Sequence, residues 1–276
     1  MRRHIFSINS GRSGSEYLAR ILDTAKNVVA FHEPHPDGAG RAITRFPATR
    51  PTMLERALYP PMYVRKLSKV RAIRRTTEHL PESQIYAETN HMFVLSFHDV
   101  VMNHLRPVDV ILLRRHMLAT VRSFIELGYF TPNCPFTRFW FTSPNSPSAA
   151  VRALAPDHQL DQVDQIIGYL IDIEARAQRF IRNHPATRVI EMRLAHLNDL
   201  ARVRTMFAAL GLTPSRATED VVGRIVNDKP EHKARVAQRV SLDYCRERIE
   251  RYLARCAAKG IELPDLPQME AVASTR

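Results

Sequence analysis

The opening of the chain constrains it most: H-I-F-S-I-N-S-G-R-S-G-S-E-Y-L-A-R-I-L over residues 4–22. Ile5, Phe6 and Ile8 form a short apolar strand pattern. Residues 10–15 are small apart from Arg12, and Leu18, Ile21 and Leu22 then take up helical spacing. A strand, a tight loop and a helix start bring backbone N–H groups and the positive end of a helix dipole to one point. Arg12 adds a planar fork of donors that fits a pair of phosphate or sulfate oxygens. The sequence therefore predicts an anion-binding loop of Gly11, Arg12, Ser13, Gly14 and Ser15. Glu16 follows at the helix N-terminus, where a carboxylate is electrostatically favoured. Two familiar nucleotide loops match poorly. The G-x-x-x-x-G-K-[ST] loop needs a Lys after its second glycine, and none follows Gly14. A dinucleotide loop needs a third glycine, and the next is Gly38.

A second element repeats the logic. V-D-V-I-L-L at 108–113 is a nearly continuous apolar run, as expected of a strand buried on both faces. It ends in Arg114 and Arg115. A helix pattern follows through Met117, Leu118, Val121, Phe124 and Ile125, carrying Ser123 eight residues after Arg115. Further strands are expected near 27–32, 84–88 and 187–192. Helices are expected near 15–25, 61–79, 91–104, 116–127, 161–183, 197–210, 217–226 and 241–259. This alternation predicts an α/β fold: a P-loop-like parallel sheet of about five strands flanked by helices. One domain spans 1–260. Residues 33–60 and 128–160 break the pattern. The second is a proline- and aromatic-rich insertion containing Trp140, the one tryptophan, and it is expected to cover the acceptor site. Residues 261–276 read as a loose tail.

Composition narrows the classes. The chain has 276 residues, with 40 Lys plus Arg against 28 Asp plus Glu, a formal net charge of +12. Such charge draws anionic partners, yet no helix-turn-helix, zinc-finger or aromatic RNP-type signature accompanies it. Nucleic acid is therefore not expected as the partner, and an anionic nucleotide is. Apolar runs fall short of a membrane span, and M-R-R-H-I-F lacks a signal peptide's apolar stretch. Cys134, Cys245 and Cys256 are few and odd in number, the last two on an apolar helix face, which suggests core thiols in a reducing, cytoplasmic setting. No His/Cys cluster has zinc spacing. Oligomeric state is not legible.

Candidate acid/base groups lie where strands end, the edge at which open α/β sheets bind ligands. The second strand runs into His32, Glu33 and His35. The third ends in Glu88, followed by Thr89, Asn90 and His91; Thr89 or Asn90 suits a helix cap. A polar, basic loop at 226–233 carries Lys229, His232 and Lys233, and Arg193 is a weaker anion contact after the last strand.

With these residues in view, the chain resembles the sulfotransferase superfamily, whose members carry sulfuryl groups from 3′-phosphoadenosine-5′-phosphosulfate (PAPS). G-R-S-G-S at 11–15 looks like the family's first motif in the branch with Arg in the loop, and Arg115 with Ser123 matches its 3′-phosphate motif. The resemblance implies a PAPS-dependent transferase acting without a metal on a hydroxyl or amine of an unknown acceptor, a saccharide among the options. In carbohydrate-type relatives a Glu shortly after the second strand is the base, which is Glu33 here; His32 and His35 remain alternatives. Glu88 and His91 sit in the region that faces donor sulfate and acceptor, as base or sulfate contact. Lys229, His232 and Lys233 match a basic loop that closes over the nucleotide. Two rivals stand: a P-loop kinase or other nucleotide phosphotransferase, and a non-enzymatic nucleic-acid binder.

Overall fold

The computed structural model describes residues 2–34, 53–132, 134, 141–146, 148–224 and 239–270, with the backbone alone for 53–65. The expected α/β architecture is present. Five parallel strands are hydrogen-bonded in the order β2-β3-β1-β4-β5, namely β1 His4–Ile8, β2 Val28–His32, β3 Ile85–Thr89, β4 Val108–Arg114 and β5 Val189–Arg193. The helices are α1 Ser15–Asp23, α2 Met53–Glu78, α3 His98–His104, α4 Met117–Glu126, α5 Gln162–Asn183, α6 Leu200–Ala209, α7 Arg216–Val221 and α8 Leu242–Ala258. β1 is central. From it the chain goes out to the edge strand β2, returns to β3 between β2 and β1, then crosses to β4 on the other side. The strand order therefore reverses between β1 and β4, and a crevice opens beyond their carboxyl ends.

Side chains alternate across the pleat into two cores. Phe6 and Ile8 join Val110 and Leu112 on one face, under residues of α2–α5 and α8. Ile5, Ile111 and Leu113 join Met192 on the other, under α1 and α6, which contribute Leu18, Ile21, Val203 and Phe207. Ile111 and Leu113 are at most 2% exposed, consistent with a strand covered on both faces. Burying each such side chain contributes about 1.5–3 kcal/mol. Helix starts follow capping chemistry: Asp161, Asp199 and Ser241 accept backbone N–H bonds at the heads of α5, α6 and α8. No helix among the described residues is long and apolar enough to cross a membrane.

Some local expectations change. The helix expected over 91–104 is a π turn, Phe93–Phe97, followed by α3, and Asn90 Oδ1 accepts the Met92 N–H at its start. The helix expected over 197–210 is split into a 3₁₀ turn, Leu194–Asn198, and α6. Residues 261–270, read from sequence as loose, are packed on the domain. Ile261 is buried, Gln178 donates to the Asp265 carbonyl at 2.8 Å, and Arg193 binds the Glu270 carboxylate at 3.1 Å. Residues 271–276 lie outside the described set.

His4 is buried against β3, its ring centroid 6.1 Å from that of Tyr86, and its pKa falls to about 4. Burial is the main cause, with carbonyls of Leu105 and Pro107 pulling the other way. Because the unfolded chain takes up this proton near pH 6.5, stability is full above that pH and is lost as pH falls toward 4. Between pH 6.5 and 5 His4 alone should cost about 1–2 kcal/mol. Denaturant unfolding at pH 7.5 and pH 5.0 should show His4→Phe losing less stability than the wild type by about that amount.

Candidate active site

The anion loop is built by backbone conformation. Asn9, at the end of β1, donates to Ser7 Oγ at 2.6 Å and accepts the Gly11 N–H at 3.2 Å. Gly11, Arg12 and Gly14 have φ of 71°, 52° and 94°. Glycine is the residue that takes the left-handed region without strain, and at Gly14 a second constraint applies: a Cβ there would stand 2.4 Å from Leu194 Cδ1. The loop is thus pressed against the wall that follows β5. α1 starts at Ser15 with no side chain capping its first turn, so its leading N–H groups face the loop without an internal acceptor. Ser13 is fully buried and its hydroxyl has no partner among the described residues.

Arg115 stands just past β4 and donates through one guanidinium nitrogen to the Arg12 carbonyl at 2.8 Å. Arg12 Nε donates to Ser123 Oγ on α4 at 3.3 Å. The residues singled out as a pair, Arg115 and Ser123, thus meet the loop arginine, and the three form one cluster. Burial, then the charges of Arg12 and Arg122, pull the Arg115 pKa down, with Glu126 opposing. Two guanidinium groups held side by side in a partly dry site favour an anion between them.

Glu33 follows β2 with φ 45°, a left-handed conformation for a residue with a side chain, and its N–H is held by the Thr89 carbonyl at 3.1 Å. Its Oε1 lies 2.6 Å from His91 Nδ1. Burial works against the Glu33 charge, but His91 first, then His32 and Lys69, outweigh it and hold the carboxyl below its usual range. The His91 ring lies 5.3 Å from Phe141. His32 Nδ1 is within 3.2 Å of the Thr89 carbonyl and hydroxyl.

These groups share one cleft of about 440 Å³. The loop with Arg12, Arg115 and Ser123 forms one part of its wall; His32, Glu33, His91, Tyr129 and Phe141 form another. Leu194, Asn198, Tyr17 and Arg224 complete it. Glu16 also lines the cleft and pairs with Arg20 at 2.7 Å, which offsets its charge.

Other candidates are placed differently. Glu88 is buried beneath the sheet edge, bound by Lys69 Nζ at 2.7 Å, Tyr86 OH at 2.7 Å and Asn90 Nδ2 at 2.9 Å, and does not line the cleft. A carboxylate so fully engaged is a structural anchor. Arg193 is engaged by Glu270 and the Pro267 carbonyl. His35, Lys229, His232 and Lys233 lie outside the described residues, as does Trp140. Tyr17, Leu194, Asn198 and Arg224 were not singled out from the sequence. Tyr17 reads there as one more apolar helix residue, and the other three are joined to the site by topology alone.

Comparison with known proteins supports the fold. The sulfotransferase domain from the curacin biosynthetic pathway is 10% identical, with a TM-score of 0.53, covering 96% of this chain and 99% of that one. A sulfotransferase from Alicyclobacillus acidocaldarius is 12% identical over 94% and 96% of the two chains, with a TM-score of 0.48. No family model and no curated protein matches the sequence. The chain has the fold of the curacin-pathway domain along its length.

Proposed function

We propose that this chain is a PAPS-dependent sulfotransferase acting on a hydroxyl or amine of its acceptor, a saccharide being the first class to test. One observation carries the reading: Arg12, Arg115, Ser123 and the uncapped head of α1 gather at one cleft that also holds Glu33. The fold likeness supports it. Two guanidinium groups and the uncapped N–H groups at the head of α1 suit an adenosine donor that is anionic at both its 3′ and 5′ ends. A carboxylate facing the same space suits proton removal from an acceptor.

In the proposed reaction the acceptor oxygen attacks sulfur in line. The S–O bond to the donor phosphate breaks as the new O–S bond forms, and the acceptor proton passes to Glu33. The products are a sulfate ester and adenosine 3′,5′-bisphosphate. Arg115 and Ser123 hold the 3′-phosphate and so orient the donor. Arg12 and the loop N–H groups meet charge that develops on the departing phosphate. Residues 128–160 contribute Tyr129 and Phe141 to the cleft beside Glu33, which supports the insertion as an acceptor wall. Free Cys134, Cys245 and Cys256 fit a reducing cytoplasmic setting.

Calorimetric binding of adenosine 3′,5′-bisphosphate against ATP–Mg²⁺ tests the donor. The bisphosphate should bind at least about tenfold more tightly, since Arg115 and Ser123 have a 3′-phosphate to hold only in that ligand. Tighter binding of ATP–Mg²⁺ would favour the kinase reading instead. Steeply salt-dependent binding of DNA or RNA without nucleotide binding would favour a nucleic-acid binder.

A further inference from the structure

Tyr17 sits in the first turn of α1, two residues into the helix that begins at the anion loop. It is 5% exposed, and its ring lines the cleft. Its hydroxyl accepts the Gly223 N–H at 2.7 Å and donates to the Leu197 carbonyl at 3.1 Å, with the Val221 carbonyl 3.4 Å away. One oxygen thus joins three segments that are far apart in sequence: the head of α1, the 3₁₀ turn after β5 and the turn after α7. Each of the three supplies wall to the same cleft. α1 and its loop give Gly14, Ser15 and Glu16; the 3₁₀ turn gives Leu194 and Asn198; the turn after α7 gives Arg224. Gly223 makes that last turn at φ 84°, and Arg224 N–H bonds back to Val221. A second tie, Thr24 Oγ1 to Thr218 Oγ1 at 2.8 Å, fixes the body of α7 to the far end of α1. It leaves the turn itself to Tyr17. Burial raises the phenol pKa, with the Gly223 N–H opposing, so the hydroxyl keeps the proton it donates.

We infer that the Tyr17 hydroxyl is a positioning group for the donor end of the cleft: it pins the turn 221–224 and thereby presents Arg224 to the anionic donor. The inference rests on the PAPS reading for the identity of the ligand, and on geometry alone for the pinning. Losing the oxygen unties the exposed turn at Gly223 and leaves the carbonyl of buried Leu197 without its partner. The turn should then move more freely, taking Arg224 with it.

The test uses the full chain, with Tyr17→Phe, Arg224→Ala and the double variant, and adenosine 3′,5′-bisphosphate as the probe. Tyr17→Phe should weaken binding about tenfold, and Arg224→Ala by a similar factor. The double variant should also lose about tenfold, not the hundredfold that independent sites would give. With PAPS as donor, KM should rise while kcat stays within about twofold. Hydrogen exchange at the Gly223 amide should quicken about tenfold or more in Tyr17→Phe. Unchanged affinity in Tyr17→Phe, additive losses in the double variant, or unchanged exchange at Gly223 would each overturn the inference. If Tyr17→Phe does not fold, Gly223→Ala strains the same turn and should likewise weaken binding without adding to Arg224→Ala. A wild type that ignores the bisphosphate overturns the donor reading, and the exchange result then still decides the pinning.

Discussion

Arg115→Ala should weaken binding of adenosine 3′,5′-bisphosphate by about 10²–10³-fold while leaving the melting temperature unchanged or slightly raised. The binding loss follows from the guanidinium's place. It stands just past β4, in the cleft that Ser123 also lines, and is hydrogen-bonded to the anion loop through the Arg12 carbonyl. Removing it takes away charge-assisted bonds to the ligand, each contributing about 1.5–3 kcal/mol, and the grip on the loop as well. The stability effect has a different sign because the cationic cluster is self-repelling. Burial and the neighbouring Arg12 and Arg122 all work against the Arg115 charge, and Glu126 offsets them only in part. Deleting a charge the folded chain strains to hold gives back some stability, which roughly cancels the lost bond to the Arg12 carbonyl. A structural arginine would behave in the opposite way. Arg114, next in the chain, is that contrast: it is clamped by Glu174 at 2.7 Å and by Glu191 at 2.5 Å. Arg114→Ala should therefore lower the melting temperature and spare affinity. Titration calorimetry and thermal melts on the two variants check both halves. A large drop in melting temperature for Arg115→Ala, with affinity intact, would mean that Arg115 holds the fold and not the donor.

That contrast shows what a sequence can and cannot convey. Arg114 and Arg115 are indistinguishable as letters; the first turns toward α5 and the second toward the loop, and only the sheet's register decides which. The strand before them was legible because burial on both faces leaves a continuous apolar run. The loop at 11–15 was legible because its chemistry is local: glycines, a hydroxyl and an arginine within one turn. The bounds of α2 were less so. The expected start near 61 falls inside the helix, which runs from Met53 through Pro60 and Pro61. Asp199 caps α6 and so ends a 3₁₀ turn that periodicity alone merges with it. The contacts that make the cleft are also non-local. Glu33 and His91 were rivals for one role on the sequence, 58 positions apart; the pairing of β2 with β3 makes them partners. Glu88 looked equivalent to Glu33, yet on β3 it points beneath the sheet, into Lys69 and Tyr86. The 261–270 segment lacks an apolar period and still packs: Ile261 joins the core, Leu263, Leu266 and Met269 lie against it, and Gln178 and Arg193 bind the Asp265 carbonyl and Glu270.

Glu33→Gln should lower kcat by about 10²–10⁴-fold and leave bisphosphate affinity within about twofold, because the substitution keeps shape and removes only the proton-accepting charge. The pH profile gives the sharper test. A base works only when deprotonated. Although burial opposes ionisation of Glu33, His91, His32 and Lys69 outweigh it and hold the group below its ordinary 4.5. If Glu33 takes the proton, the acid limb of kcat/KM stays flat down to about pH 5 and falls only below the usual carboxylate range. If a histidine takes it, the limb breaks between about pH 6 and 7 instead. A carboxylate this acidic is a weak base toward an alcohol in its ground state. It becomes an effective one only as the O–S bond forms and the attacking hydroxyl grows acidic, so proton transfer belongs late in the step. If Glu33 is the base, that timing accounts for the geometry around it. The carboxylate need not attract a proton beforehand; it must be charged, oriented and waiting, and the contact with His91 at 2.6 Å and the left-handed backbone at Glu33 hold it so. Full turnover in Glu33→Gln, or an acid limb breaking at histidine pH that Glu33→Gln leaves in place, would move the role to His91 or His32.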